Sequence, residues 1–116
     1  METDLANDWA ATLKALAHPT RLQIVTELLA GTRCVTDMEE ILPASQANIS
    51  QHLAVLRHAK LVDFAQDGSL RCYYLSRPQL VKGIFSLLAA DPPVVRKTRE
   101  QINREKAAAD EMEEKS

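Results

Sequence analysis

The stretch SQANISQHLAVLRHAKLV, residues 45–62, predicts one helix, to about Ala59, that carries two different faces. Ile49, Leu53 and Leu56 recur at helical spacing and form an apolar stripe. The first two turns otherwise hold polar side chains, with no Lys, Arg, Asp or Glu: Gln46, Asn48, Ser50, Gln51 and His52. Gln and Asn bind adenine bidentately, and the Ser hydroxyl can hydrogen-bond to the edges of several bases. This outer face is therefore suited to reading base edges.

The composition is that of one globular domain. At 116 residues the chain is long enough for one hydrophobic core, and its 46% apolar and 26% charged residues are ordinary for a soluble protein. Apolar runs such as Leu87 to Ala90 are too short to span a membrane, and the N-terminus lacks the features of a signal peptide. We therefore expect a cytoplasmic protein with no membrane partner.

The net charge of −2 is unevenly distributed along the chain. Residues 44–90, which include the two-faced helix, carry five Lys/Arg against two Asp/Glu. A local basic surface is sufficient for phosphate contacts even on an acidic protein. The overall charge argues against a protein that coats nucleic acid indiscriminately.

Helices are predicted near both ends of the chain. Apolar spacing predicts helices over 4–16 and 19–30, and Pro78 begins another that runs to about residue 90. The tail over 94–116 has good helix formers and mixed charges but little to bury, so we expect a solvated helix.

A helix-turn-helix pattern lies in the middle of the sequence. Thr36 or Asp37 can cap a brief helix over 37–42, and Ser45 is a good N-cap for the two-faced helix that follows. A short helix, a tight turn and a longer helix with polar reading positions are typical of this motif.

A β-hairpin is predicted directly after the two-faced helix. The β-prone runs 61–65 and 70–75 flank an Asp67-Gly68 step, which is a strong hairpin signal. A hairpin in this place is the wing of a winged helix-turn-helix.

The order of these elements and three segments resemble the ArsR/SmtB family of dimeric winged-helix repressors. The segments are LAHPTRLQIVTELL at 16–29, SQANISQHLAVLRHAKLV at 45–62 and DGSLRCYYL at 67–75. The resemblance implies a mainly α fold with a small β-hairpin wing, and a homodimer formed by the first and last helices. It also implies that residues 45–58 bind double-stranded DNA, which an inducer releases.

Domains and contact residues follow from the same resemblance. We expect residues 1–91 to form the DNA-binding and dimerisation domain and residues 92–116 to form a charged helical tail. The residues that match the family's recognition helix are Ser45, Gln46, Asn48, Ser50, Gln51 and His52. We assign base-edge reading to the three amides, and phosphate or cap contacts to the two serines and the histidine. Arg57 and Arg71 would meet phosphates, with a surface ion pair as an equally weighted alternative for Arg57.

Neither of the family's familiar metal sites is complete in this sequence. Metal-sensing members carry a Cys-x-Cys pair at the start of the third helix, where Cys34 is followed here by Val35 and Thr36. Other members place Asp and His ligands on the last helix, and residues 80–90 contain neither residue type. We therefore predict no metal and no certain cofactor.

Cys34 and Cys72 are too few for a disulfide scaffold, so reduced thiols are the default expectation. The resemblance implies that the segment ahead of the third helix pairs with the second wing strand, which would make the two cysteines neighbours. Arg33 and Arg71 adjoin them and favour the thiolate form. One interpretation is a dithiol that senses arsenite, a persulfide or an oxidant. The other is that both cysteines are small buried apolar residues.

No catalytic motif stands out, since the sequence has neither a Gly-rich phosphate loop nor a nucleophile–base spacing, and we predict that the protein is not an enzyme.

Two other functions remain open. The winged helix could bind another protein instead of DNA. Alternatively, the repressor could sense a small organic ligand at the dimer interface near Trp9.

Overall fold

The computed structural model describes residues 1–115, which form six helices and one three-stranded antiparallel sheet. The elements in chain order are α1 (Thr3–Leu16), α2 (Pro19–Ala30), β1 (Arg33–Cys34), α3 (Val35–Ile41), α4 (Gln46–His58), β2 (Val62–Asp67), β3 (Leu70–Leu75), α5 (Pro78–Ala90) and α6 (Arg99–Lys115). The predicted mainly α fold with a hairpin wing is confirmed. None of the helices in the described part of the chain is long and apolar enough to cross a membrane.

The third helix begins two residues earlier than predicted. Its N-cap is Cys34 and its first residue is Val35, so the expectation that Thr36 or Asp37 caps it is wrong. The Asp37 side chain instead reaches back and accepts a hydrogen bond from the Cys34 backbone N–H, at 3.1 Å. This bond satisfies a donor that precedes the first helical turn, which is the reciprocal half of a capping box.

The wing is a tight hairpin. β2 extends to Asp67, two residues beyond the predicted end at Ala65, and Asp67 pairs with Leu70 across a two-residue loop. Gly68 begins that loop with a φ of 63°, a conformation that favours glycine. β3 lies in the middle of the sheet, between β1 and β2.

The apolar stripe of α4 lies in the hydrophobic core. Ile49, Leu53 and Leu56 are fully buried, in one cluster with side chains from α2, α3, β2 and α5. These partners include Ile24, Val25, Met38, Val62 and Val81. Burial of each large aliphatic side chain stabilises the fold by roughly 1.5–3 kcal/mol. The core therefore fixes which side of α4 points outward.

The chain divides into two compact units, Met1–Ser86 and a second unit that begins at Leu87. The first unit holds α1 to α4, the sheet and most of α5. In the second unit, Thr98 and Gln101 exchange hydrogen bonds at the start of α6, and Lys97 Nζ lies 2.7 Å from Glu105 Oε2.

We predict that Leu53→Ala lowers the free energy of unfolding by about 2–5 kcal/mol, because it leaves a cavity in the core. Val55→Ala is the matched control, since Val55 lies on the same helix and is 42% exposed. We expect that change to cost less than about 1 kcal/mol. Urea unfolding at one protein concentration measures both values, and equal losses would contradict the assigned burial.

Candidate nucleic-acid interface

The start of α4 is fixed by its cap. Ser45 Oγ accepts a hydrogen bond from the backbone N–H of Asn48 at 3.2 Å, as expected for an N-cap serine. Because Ile49, Leu53 and Leu56 are buried, the polar positions between them face outward. Four of the predicted contact residues are exposed in this first part of the helix: Gln46, Asn48, Ser50 and Gln51.

The structure places His52 differently from these four residues. His52 is half-buried, and its ring lies 4.4 Å from that of His18, centroid to centroid. Its Nδ1 atom lies 3.3 Å from Arg21 Nη1. Burial, followed by the neighbouring His18 and Arg21, lowers the pKa of His52 below 6.5. His52 therefore faces the start of α2.

Arg57 and Arg71 both stack on the ring of Phe64. Their guanidinium carbons lie 4.4 and 4.7 Å from the ring centroid of Phe64. Arg57 comes from the last turn of α4 and Arg71 from β3, so one ring contacts a cation from the helix and a cation from the wing. Phe64 is itself held by Tyr73, whose ring centroid is 5.3 Å away.

The ion-pair alternative for Arg57 is present in the structure. Arg57 Nε donates to Asp63 Oδ1 at 3.1 Å, and both side chains are about half exposed. The Phe64 backbone N–H and the Arg57 guanidinium lower the pKa of Asp63 below 3.8. An exposed pair of this kind adds little stability, so it leaves Arg57 available to a phosphate.

A groove of about 360 Å³ separates α4 from the wing. It brings together four of the residues predicted from the sequence: Gln46, Ser50, Arg57 and Arg71. The groove is also lined by Phe64 and Gln66, which the sequence analysis did not single out. The Asp-Gly turn could have indicated Phe64, because its register pairs Phe64 with Tyr73, two residues from Arg71.

Cys34 and Cys72 form a disulfide, with an S–S distance of 2.09 Å. The default expectation of reduced thiols is therefore wrong for this structure. The physical reason is the strand register, because antiparallel pairing of β1 with β3 sets the two residues directly opposite, 3.9 Å apart between Cα atoms. Their expected proximity is confirmed. Both residues are half-buried.

Residues 1–115 contain no group of three His, Cys, Asp or Glu side chains arranged to hold a metal ion. The site described so far consists instead of an exposed amide and hydroxyl face, two arginines and a cystine. Its chemistry is hydrogen bonding, charge pairing and thiol exchange.

The chain is similar in sequence to proteins of one known family. Residues 18–63 match the description "Bacterial regulatory protein, arsR family". The biofilm growth-associated repressor of Xylella fastidiosa is 33% identical over 88 residues, which are 73% of this chain and 77% of that protein. The arsenical resistance operon repressor of Bacillus subtilis is 34% identical over 86 residues, 73% of this chain and 81% of that protein.

A solved structure agrees with these relatives. HlyU from Vibrio cholerae superimposes with a TM-score of 0.67 at 38% sequence identity, over 76% of this chain and 94% of that chain. The relatives named above are transcriptional repressors, and the protein is a regulator rather than an enzyme. The chain belongs to the ArsR family of bacterial regulatory proteins.

Proposed function

We propose that the protein is a homodimeric transcriptional repressor that reads an operator in double-stranded DNA with α4. The observation that carries the proposal is the exposed, uncharged hydrogen-bonding face of α4, together with Arg57 and Arg71, which both stack on Phe64 of the wing. A helix of this width fits the major groove, where amide side chains distinguish base pairs. A face no longer used for DNA would have no need for this set of side chains.

Base reading and phosphate binding fall to different residues of α4. Gln46, Asn48 and Gln51 carry the amides, which we assign to base edges. Ser45 already accepts the Asn48 N–H, and its hydroxyl proton is left to donate to a phosphate at the positive end of the helix. We assign Ser50 to a phosphate as well.

Arg57 and Arg71 supply charge for the DNA backbone. Stacking on Phe64 holds both guanidiniums near the groove between α4 and the wing, which limits the side-chain entropy lost on binding. Phosphate contacts of this kind make operator binding salt-dependent. Since DNA is the ligand, we place the protein in the cytoplasm.

The dimer is proposed from an apolar stripe on α1. Leu5, Trp9 and Leu13 follow helical spacing and are 41%, 54% and 56% exposed. Trp9 and Leu13 also line a groove of about 300 Å³ together with Leu80 and Ile84 of α5. A second copy of the chain would cover this stripe and space two α4 helices for a palindromic operator. We assign residues 1–91 to this DNA-binding and dimerisation domain and 92–116 to a charged tail.

We predict that Asn48→Ala and Gln51→Ala each weaken operator binding by about 1–3 kcal/mol, because each removes an amide that reads a base. Gln23→Ala is the control, since Gln23 is an exposed amide on α2 and should leave the affinity unchanged. Fluorescence anisotropy with the protein's own upstream DNA and a scrambled duplex, across salt concentrations, measures the difference.

Absence of specific binding at every salt concentration, in both reduced and oxidised protein, would contradict the repressor. That result would favour a winged-helix module that binds another protein. Equal losses of affinity for the operator and the scrambled duplex would instead remove the base-reading role of the amides.

The inducer response is assigned to the pair Cys34 and Cys72. An oxidant such as hydrogen peroxide takes two electrons and two protons from the thiols, leaving the disulfide and two molecules of water. Arsenite would instead bridge both sulfurs with loss of water. A persulfide would transfer its outer sulfur to one thiolate and leave as a thiol, and the second thiolate would then close the disulfide and expel hydrogen sulfide. Arg33 and Arg71 adjoin the cysteines and favour the thiolate that starts each reaction.

The position of Cys72 links this chemistry to DNA. Cys72 lies in β3 between Arg71, proposed to meet a phosphate, and Tyr73, which packs on Phe64. Closing the bond ties the wing strand to β1, immediately ahead of α3. We assign operator binding to the reduced form, whose wing is free to adjust, and release to the bridged form.

We predict that oxidation weakens operator binding by the reduced protein by about tenfold or more, a typical allosteric coupling. Cys34→Ser and Cys72→Ser should bind like the reduced protein and lose the response, because neither can form the bridge. The test combines gel shifts with mass measurement of the thiols after treatment with peroxide, polysulfide or arsenite. Unchanged affinity under all conditions would remove the sensing role while leaving the repressor intact.

A further inference from the structure

Arg21 holds together three parts of the domain. From α2, its Nε donates to the carbonyl oxygen of Ala15, and its Nη2 donates to that of Lys14 at 3.3 Å. These carbonyls belong to the last turn of α1, and that of Lys14 also accepts from the backbone N–H of the C-cap residue Ala17, at 3.2 Å. The remaining contact of Arg21 is with His52 on α4, at 3.3 Å from Nη1 to Nδ1.

The direction of this last bond follows from chemistry. A guanidinium has only donors, so His52 Nδ1 must accept, and the proton of the neutral ring lies on Nε2. The facing ring, His18, also uses its Nδ1 as an acceptor. This atom accepts from the Thr20 backbone N–H at 3.1 Å and caps α2. The contact with Arg21 therefore requires the imidazole of His52 to be neutral.

We infer that Arg21 and His52 are positioning residues for operator reading, which hold α4 against the end of α1. The inference rests on the proposed DNA-binding function. His52 follows Gln51 directly and lies between the fully buried Ile49 and Leu53 and the exposed amide face. The buried stripe fixes the outward face of α4, and a directional hydrogen bond at His52 adds a second constraint on the position of the helix.

The same contact connects the two functional surfaces of the domain. α1 carries the exposed stripe of Leu5, Trp9 and Leu13, the face proposed to meet the second copy. Arg21 bonds the last turn of that helix and the middle of α4 at once. The spacing between the two reading helices of a dimer would thus depend on this guanidinium.

Protonation of His52 breaks the arrangement. A proton on Nδ1 removes the acceptor and sets a positive charge against Arg21. The titratable and charged groups that face His52 in the described structure are His18, from the α1–α2 junction, and Arg21; α1 contributes only backbone carbonyls to the arrangement. Burial and these two neighbours lower the pKa of His52, so the neutral form is favoured at neutral pH and is lost only as the pH falls through that lowered pKa.

The test is operator affinity as a function of pH, by anisotropy with the full chain kept reduced. Between about pH 7.5 and pH 5.5, we expect the wild-type affinity to fall about fivefold or more. His52→Asn places an amide oxygen near the position of Nδ1 and does not titrate in this range. It should bind like wild type at pH 7.5 and lose less affinity than wild type over the same range, because it lacks the titrating group at position 52.

His52→Leu, which removes the acceptor, should weaken binding at pH 7.5 about fivefold or more. His58→Asn is the matched control, because His58 is exposed at the end of α4 and its loss should leave the pH dependence as in wild type. Affinity that rises on acidification would overturn the inference, since it would show a protonated histidine binding phosphate directly. A flat wild-type profile, or a wild-type pH dependence in His52→Asn, would also overturn it.

These outcomes separate the inference from the function on which it rests. Specific binding at pH 7.5 without the expected pH dependence removes only the positioning role. Absence of specific binding in the wild type at every pH removes both.

Discussion

Burial of Ile49, Leu53 and Leu56 in the core is the constraint on which the rest of the structure depends. On a helix, a stripe that must face inward determines which residues face outward, so the same three side chains expose the amide and hydroxyl face of α4. Folding and recognition are therefore coupled through one element. A change that rotates α4 exposes apolar surface and misplaces the reading residues together.

The buried stripe determines which face of α4 points outward. Individual contacts along the helix then fix its position in the domain. Ser45 caps its start, the Arg21–His52 bond holds its middle, and Arg57 in its last turn packs on Phe64 of the wing. The cystine joins the strand ahead of α3 to the central wing strand. Each contact joins α4 or the wing to a different part of the domain.

Locally encoded features were predictable from the sequence. The ranges of α2 and α5, the Ser45 cap and the Asp-Gly hairpin depend on residues close together in the chain, and the structure confirms them. Features set by distant contacts were not predictable. The N-cap of α3 is Cys34, which is held in β1 opposite Cys72, 38 residues away. The place of His52 depends on Arg21 and His18, 31 and 34 residues away. The redox state of Cys34 and Cys72 is not encoded in their spacing, and the sequence indicated only that they could be neighbours.

The central claim is that α4 reads DNA in the major groove, and dimethyl sulfate protection tests it most directly. This reagent methylates guanine N7 in the major groove and adenine N3 in the minor groove. With reduced protein on its operator, we predict guanine N7 protection in two half-sites about one helical turn apart. Because Gln51 is assigned to an adenine, which the reagent does not probe in the major groove, we also predict that Gln51→Ala weakens protection of the guanines next to that base in each half-site. Specific binding with minor-groove protection alone, or with a Gln51→Ala pattern identical to wild type, would contradict the account.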